Sequence, residues 1–361
     1  MTLYKLAPFI FFFLAPLSFS AEVDHYLNSP YELRDATDEV NEAFDHLFIH
    51  FLKKINKSRK AKHLSCHQVV IKIGKGFFQG HESKLARLMR GHPTIDRFPK
   101  KMIHENKQQK KMSKELFKKS IYGKRKFWPY NTIHLAPVIN INGLYIGSDK
   151  LGHITGMGLA YYQRYNFWRK RGKGHHFALS RAFKFGVLSE KTILGQMASQ
   201  IFSYADLEAN YQGFLLYQSM CDKVRPRLIL GKNGKWLSVR KVNLASYVTP
   251  YMNEIFNPST YNKRNGQKIL KSLRELHCDL EKKRPLHSGL MKRLQFYKTK
   301  SKINESLLWI NNQIKKGRLK NNALNSLTHI CSNHTYLPSN QSVAPSESST
   351  KSNIRNQHPI F

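Results

Sequence analysis

Two short stretches carry polar side chains of the kinds that do chemistry, each pair one helical turn apart. Residues 138–165 read VININGLYIGSDKLGHITGMGLAYYQRY and place Asp149 four positions before His153. Residues 203–218 read SYADLEANYQGFLLYQ and do the same for Asp206 and Asn210. Positions i and i+4 share one face of a helix, so each pair is aligned by helical geometry alone. An imidazole oriented by Asp149 or Asp206 is a general acid or base. Asp149, His153, Asp206 and the intervening Glu190 together offer the donor types that hold a divalent metal. Lys150 and Asn210 are the candidate binding residues beside them. The neighbours are Gly, Ala, Leu and aromatics, where a solvated helix face would carry Lys and Glu.

Each residue also has a purely structural explanation. A carboxylate in the first turn of a helix, as at Asp149, is stabilised by the helix dipole. Asp206 is the fourth residue of an S-x-x-D capping box. His153 fits a core histidine bonded to a carboxylate, and Asn210 fits a bridge between helices. Caps account for the two aspartates separately, but not for His153 and Asn210 one turn further on inside apolar faces.

The elements that must position these residues can be read around them. VINI and LYIG flank Asn142-Gly143, a two-residue hairpin signal, because both turn positions need positive φ. Ser148 follows as the expected N-cap of the helix with Asp149 and His153. Gly152, Gly156 and Gly158 each cost a helix roughly 1 kcal/mol relative to Ala, which points to close approach of another backbone or a ligand. A second helix is expected over 189–202 and a third, capped by Ser203, to about 221. A second hairpin turns at Asn233-Gly234. Residues 36–56 have the period of an amphipathic helix, with His46 and His50 flanking its apolar stripe and no third metal ligand in view. Residues 66–78 read equally as strand or helix end. Helical pieces are expected over 245–256, 267–280, 290–297 and 307–314. The fold class is therefore mainly α: a single helical domain with two small β-hairpins, at about 138–147 and 227–242. The domain would span 21–336, with a basic connector over 92–126 and a polar, disordered tail over 337–361.

SDKLGH at 148–153, then Glu190, then SYADLEANYQG at 203–213 resembles the DKxxH…E…SxxDxxxNxxG pattern of VanZ-like proteins and related small exported families of uncharacterised function. The likeness covers residues 148–213. It implies a shared helix pair presenting Asp149, Lys150, His153, Asp206 and Asn210, and no known catalytic activity. VanZ-like proteins cross the membrane several times, whereas this chain has no later run apolar enough to span. It also carries Ile154 where the pattern has an aromatic.

Composition sets the wider context. Lys and Arg total 60 against 23 acids, a formal charge of +37. Such a field draws a protein to anionic lipid or acidic glycan surfaces; a uniformly Lys-rich surface with no specific role is the plain alternative. Residues 151–189 contain no acid, and WRKRGKGHH at 168–176 reads as a basic loop. Residues 1–20 combine one Lys, an apolar run and terminal small residues, the features of a cleaved signal peptide. Export makes nucleic acid an unexpected partner. It also favours disulfides among Cys66, Cys221, Cys278 and Cys331, with three pairings open. No G-x-S-x-G, HExxH or phosphate-binding loop is present. That favours a non-enzymatic envelope protein, secreted or periplasmic, over an envelope hydrolase using Asp149, His153 and Asp206. No cofactor is required by the sequence, although a divalent metal fits.

Overall fold

A computed structural model describes residues 21–28, 32–79, 82–99, 114–124, 134–192, 195–196, 199–278 and 284–332. The signal-peptide reading, the tail and residues 100–113 and 125–126 of the basic connector lie outside these residues. The architecture is mainly helical, with short strands in small two-stranded sheets.

The helix Tyr204–Met220 is the axis of the packing. Fourteen of its seventeen residues are buried, polar ones included. A helix with no solvent face must be surrounded by other elements. Gly158–Arg169 packs along it, with the first turns supplied by Ser148–Gly152 and His153–Met157. Thr37–Asn56 and Cys66–Gly76 add Phe44, Phe48, Phe51, Val69, Val70 and Ile73 to the same apolar core. The Cys66–Gly76 helix resolves the strand-or-helix ambiguity: Ser65 accepts from Gln68 N while Gln68 reaches back to Ser65 N, a reciprocal cap that holds the first turn.

The close approach expected at the glycines is present as backbone at Gly158 and as the Phe78 ring at Gly156, whereas Gly152 has only ordinary contacts with Ser83 and Ala86. A Cβ on Gly158 would lie 2.5 Å from Gly213 Cα, and one on Gly213 would run into the Ile154 carbonyl. The two helices meet backbone to backbone, which brings the turn after Asp149 against the turn after Asp206.

Both hairpins form where the turn signals fall. Val138–Ile141 pairs antiparallel with Leu144–Gly147 across Asn142 and Gly143, both at positive φ. Leu228–Leu230 pairs with Trp236–Ser238, with Gly234 at positive φ. Three expectations need correction. Gly147, not Ser148, is the N-cap of the Asp149 helix; Ser148 is already helical, its hydroxyl is unbonded, and the backbone at Gly147 is extended. The expected helix over 189–202 does not exist. Its first residues close the helix His175–Lys191, whose apolar face begins at Ala178 and Leu179, and Ile201–Phe202 is a strand paired with Thr260–Tyr261. The basic segment at 168–176 is accordingly a tight turn between two helices rather than a loop. Gly172, at φ 74°, ends the first helix with its N–H on the Arg169 carbonyl.

All four cysteines are paired. Cys66–Cys221 joins the start of one helix to the end of the axial helix, and Cys278–Cys331 joins two helices near the C-terminus.

Candidate functional site

Asp149, Lys150, His153, Asp206 and Asn210 converge where the two helices touch. Ser203 fixes the start of the axial helix, its hydroxyl accepting from Asp206 N at 3.1 Å. The Lys150 ammonium is completely buried and donates to Asp149 Oδ2 at 2.9 Å, to Asp206 Oδ1 and to Glu254 Oε1 at 3.4 Å. Ser203 Oγ donates to the same Glu254 oxygen at 3.2 Å. His153 sits on the outer side. Its Nε2 is 3.3 Å from Asp206 Oδ2 and its Nδ1 is 3.0 Å from Asn210 Oδ1. Both ring nitrogens therefore face side-chain groups of the axial helix. An imidazolium donates to both; a neutral ring satisfies the same triangle once the Asn210 amide turns its NH₂ toward Nδ1.

Burial orders the charges. Desolvation works against the Lys150 ammonium, but the Asp149, Asp206 and Glu254 carboxylates together hold its pKa well above the ordinary value. Desolvation also opposes the Asp206 carboxylate, and His153 and Lys150 outweigh it, so Asp206 stays below the usual range. Glu254 goes the other way. Burial lifts it to about 8, with Lys150 only partly offsetting and Asp206 and Asp149 adding to the rise. It is a neutral acid at neutral pH. His25 lies behind this group, its Nδ1 accepting from Glu254 N at 3.3 Å; burial, then Lys150, push its pKa well down, so it is a neutral ring.

Glu190 is near but not joined. It ends the helix His175–Lys191 in a buried position, where burial and then the Asp206 and Glu22 charges raise its pKa well above the ordinary value. No hydrogen bond to Asp149, His153 or Asp206 links it to the cluster. Sequence spacing brought out the residues on the two helices and passed over Glu254 and His25, which arrive from distant segments. A faint signal for Glu254 exists: it is the one acid between 223 and 274, set between Asn253 and Ile255.

The helix holding His153 is locally widened. Residues His153–Met157 form a π-helical turn. Single π turns recur at functional sites. Its carbonyls are still satisfied in part, since Tyr217 Oη donates to Thr155 O at 2.6 Å. His153 is the member of the cluster with an outlet to solvent: its side chain is 15% exposed, against 5% or less for Asp149, Lys150, Asp206 and Glu254. One ligand atom each from Asp149, His153 and Asp206 lie within 4.8 Å of one another, a donor set compatible with a divalent ion. Lys150 already supplies a positive charge to the same two carboxylates.

A second feature is the turn between the helices Gly158–Arg169 and His175–Lys191. Phe167 and Phe177 are each 46% exposed there. Arg171 lies 3.4 Å over the Phe167 ring, Lys173 is 5.8 Å from Phe177 and Arg181 is 5.1 Å from Trp168. Arg169, Lys170, Arg171, Lys173, Arg181 and Lys184 are all exposed.

The chain matches no protein-family model, no curated protein and no solved structure.

Proposed function

We propose that the chain is an exported, basic protein of the cell envelope that docks on an anionic lipid surface through the turn at 167–184. The observation that carries this reading is the pairing of exposed Phe167 and Phe177 with six exposed cations and no acid anywhere from 151 to 189. Aromatic rings at the tip of a helix pair suit the headgroup boundary, and cations around them suit its negative potential. Each Lys or Arg near such a surface contributes about 1 kcal/mol, and each inserted Phe about 1.5–3 kcal/mol at full burial. In this reading the buried cluster is the tie that fixes the helix pair behind the tip. The two disulfides support placement outside the reducing cytoplasm. No helix among the described residues is long and apolar enough to cross a membrane.

The test is co-sedimentation with vesicles of 30% phosphatidylglycerol in phosphatidylcholine, and with phosphatidylcholine alone. Binding is expected to the anionic vesicles, to weaken steeply with added salt, and to fall by more than about tenfold in F167S/F177S and in R171E/K173E. Binding that is absent, or indifferent to salt and to both variants, would overturn it.

A second reading rests on one observation, the solvent outlet at His153 between Asp206 and Asn210. It makes the cluster a general acid–base centre of a hydrolase, with His153 transferring the proton, Asp206 orienting the ring and Lys150 offsetting developing negative charge. His153→Asn would then abolish activity on an envelope ester or amide while leaving vesicle binding intact. If the variant simply unfolds more easily and no turnover is found, the cluster is only a tie.

A further inference from the structure

A separate group of metal-ligand side chains lies at the base of the same helix turn. His175 and His176 open the helix His175–Lys191, and Glu305 opens the helix Glu305–Lys315. One ligand atom from each lies within 4.8 Å of the others. We propose that His175, His176 and Glu305 form a surface site for a divalent transition-metal ion of the zinc or copper class.

The donors are held by neighbours that leave the right atoms free. Tyr165 Oη bonds His175 Nδ1 at 2.9 Å, which turns Nε2 toward Glu305 Oε1, 2.9 Å away. Tyr211 Oη donates to the other carboxylate oxygen, Glu305 Oε2, at 3.2 Å. Each of these two ligands thus has an outer partner on the packed helices, the arrangement that orients metal ligands and tunes their basicity. His176 Nδ1 stands 4.0 Å from Glu305 Oε1 on a side chain that is 93% exposed.

The fit to an ion is close. Imidazole and carboxylate donors sit about 2.0–2.2 Å from zinc, so tetrahedral partners are roughly 3.4 Å apart. His175 and Glu305 need to part by a few tenths of an ångström, and the exposed His176 to close on Glu305 by about as much again. Two imidazoles and one carboxylate leave a fourth position for water, and imidazole selects zinc, copper or nickel over magnesium or calcium. The site joins the N-terminus of one helix to that of another, 130 residues further along the chain. The two helix N-termini oppose a cation, which sets the expected affinity in the micromolar range rather than the nanomolar.

The experiment is isothermal titration of the full chain with zinc chloride, repeated with copper(II) chloride. One ion per chain is expected, with affinity lowered at least about tenfold in His176→Ala and in Glu305→Gln and unchanged in Asp149→Asn. His176 is fully solvated, so its variant keeps the fold; circular dichroism and the urea midpoint verify that. Absence of binding overturns the proposal. So does binding that survives His176→Ala and Glu305→Gln but is lost in Asp149→Asn, which would place the ion in the buried cluster. A lipid-docking result of either sign leaves this measurement unaffected.

Discussion

Replacing Lys150 by Met is the most direct probe of the buried cluster. Met keeps the apolar stem and deletes the ammonium, which donates to Asp149, Asp206 and Glu254. Glu254 is already neutral at pH 7, so the substitution leaves two carboxylates, Asp149 and Asp206, with no ammonium between them and only the His153 ring beside Asp206. Removing one partner of a buried ion pair costs about 3–5 kcal/mol, because the charge left behind is desolvated and unpaired. Against a total stability of about 5–15 kcal/mol that is a large fraction. With a urea m-value near 3 kcal/mol/M the midpoint should fall by about 1–1.7 M. Urea unfolding at pH 7, followed by tryptophan fluorescence and by circular dichroism, measures it. Adding Asp206→Asn should recover part of the loss, since the stranded charge is then removed as well. A Lys150→Met cost below about 1 kcal/mol, or costs that simply add in the double variant, would refute the charge-compensation argument.

Glu254 gives a pH prediction. Its folded pKa of about 8 lies above the ordinary 4.5, so the folded chain holds the extra proton between those values. Its contribution is complete below 4.5 and is lost as pH rises toward 8, at up to about 1.4 kcal/mol per pH unit; Glu254→Gln should flatten that decline in urea midpoints measured from pH 5 to 9. Gly213→Ala should cost more than 2 kcal/mol, because the new Cβ meets the Ile154 backbone rather than a side chain that can swing away; a variant within 0.5 kcal/mol of the parent, by the roughly ±0.5 kcal/mol of neutral surface changes, would contradict the backbone-to-backbone contact. Cys66→Ser with Cys221→Ser should lose roughly 2–5 kcal/mol, since the bridge closes a separation of 155 residues; an unchanged thermal midpoint would show the bridge to be inert.

Much of this was legible in the sequence because it is local. Asn142-Gly143 and Asn233-Gly234 name their turns, Ser203 names its cap, and the i, i+4 spacing of Asp149 with His153 and Asp206 with Asn210 already puts each pair on one face. The glycines at 152, 156 and 158 signal a close approach without saying to what, and Gly213, which meets Gly158, carries no such signal in the sequence. What could not be read is what depends on distant contacts. Glu254 and His25 reach Lys150 across more than 100 residues, and no periodicity marks them. The span at 189–202 failed because Ser189-Glu190 looks like a helix start, while the tertiary pairing of Ile201–Phe202 with Thr260–Tyr261 makes the later part a strand. Ser148 was a plausible cap in isolation, but the hairpin ends one residue earlier and the helix begins with it.

The composition of the Lys150 environment bears on when the chain can mature. Its counter-charges come from residue 149 beside it and from 206, a further acceptor from 254, and the wall behind it from residue 25. A nascent chain that has emerged only as far as the second of these helices has Lys150 and Asp206 but not the Glu254 acid that, with Ser203, closes the pocket. Until then water remains a partner of the lysine beside the two carboxylates. The burial of the lysine is therefore complete only once residue 254 is in place. Products cut short before residue 254 should stay open and protease-sensitive at this point, even with the axial helix present in full.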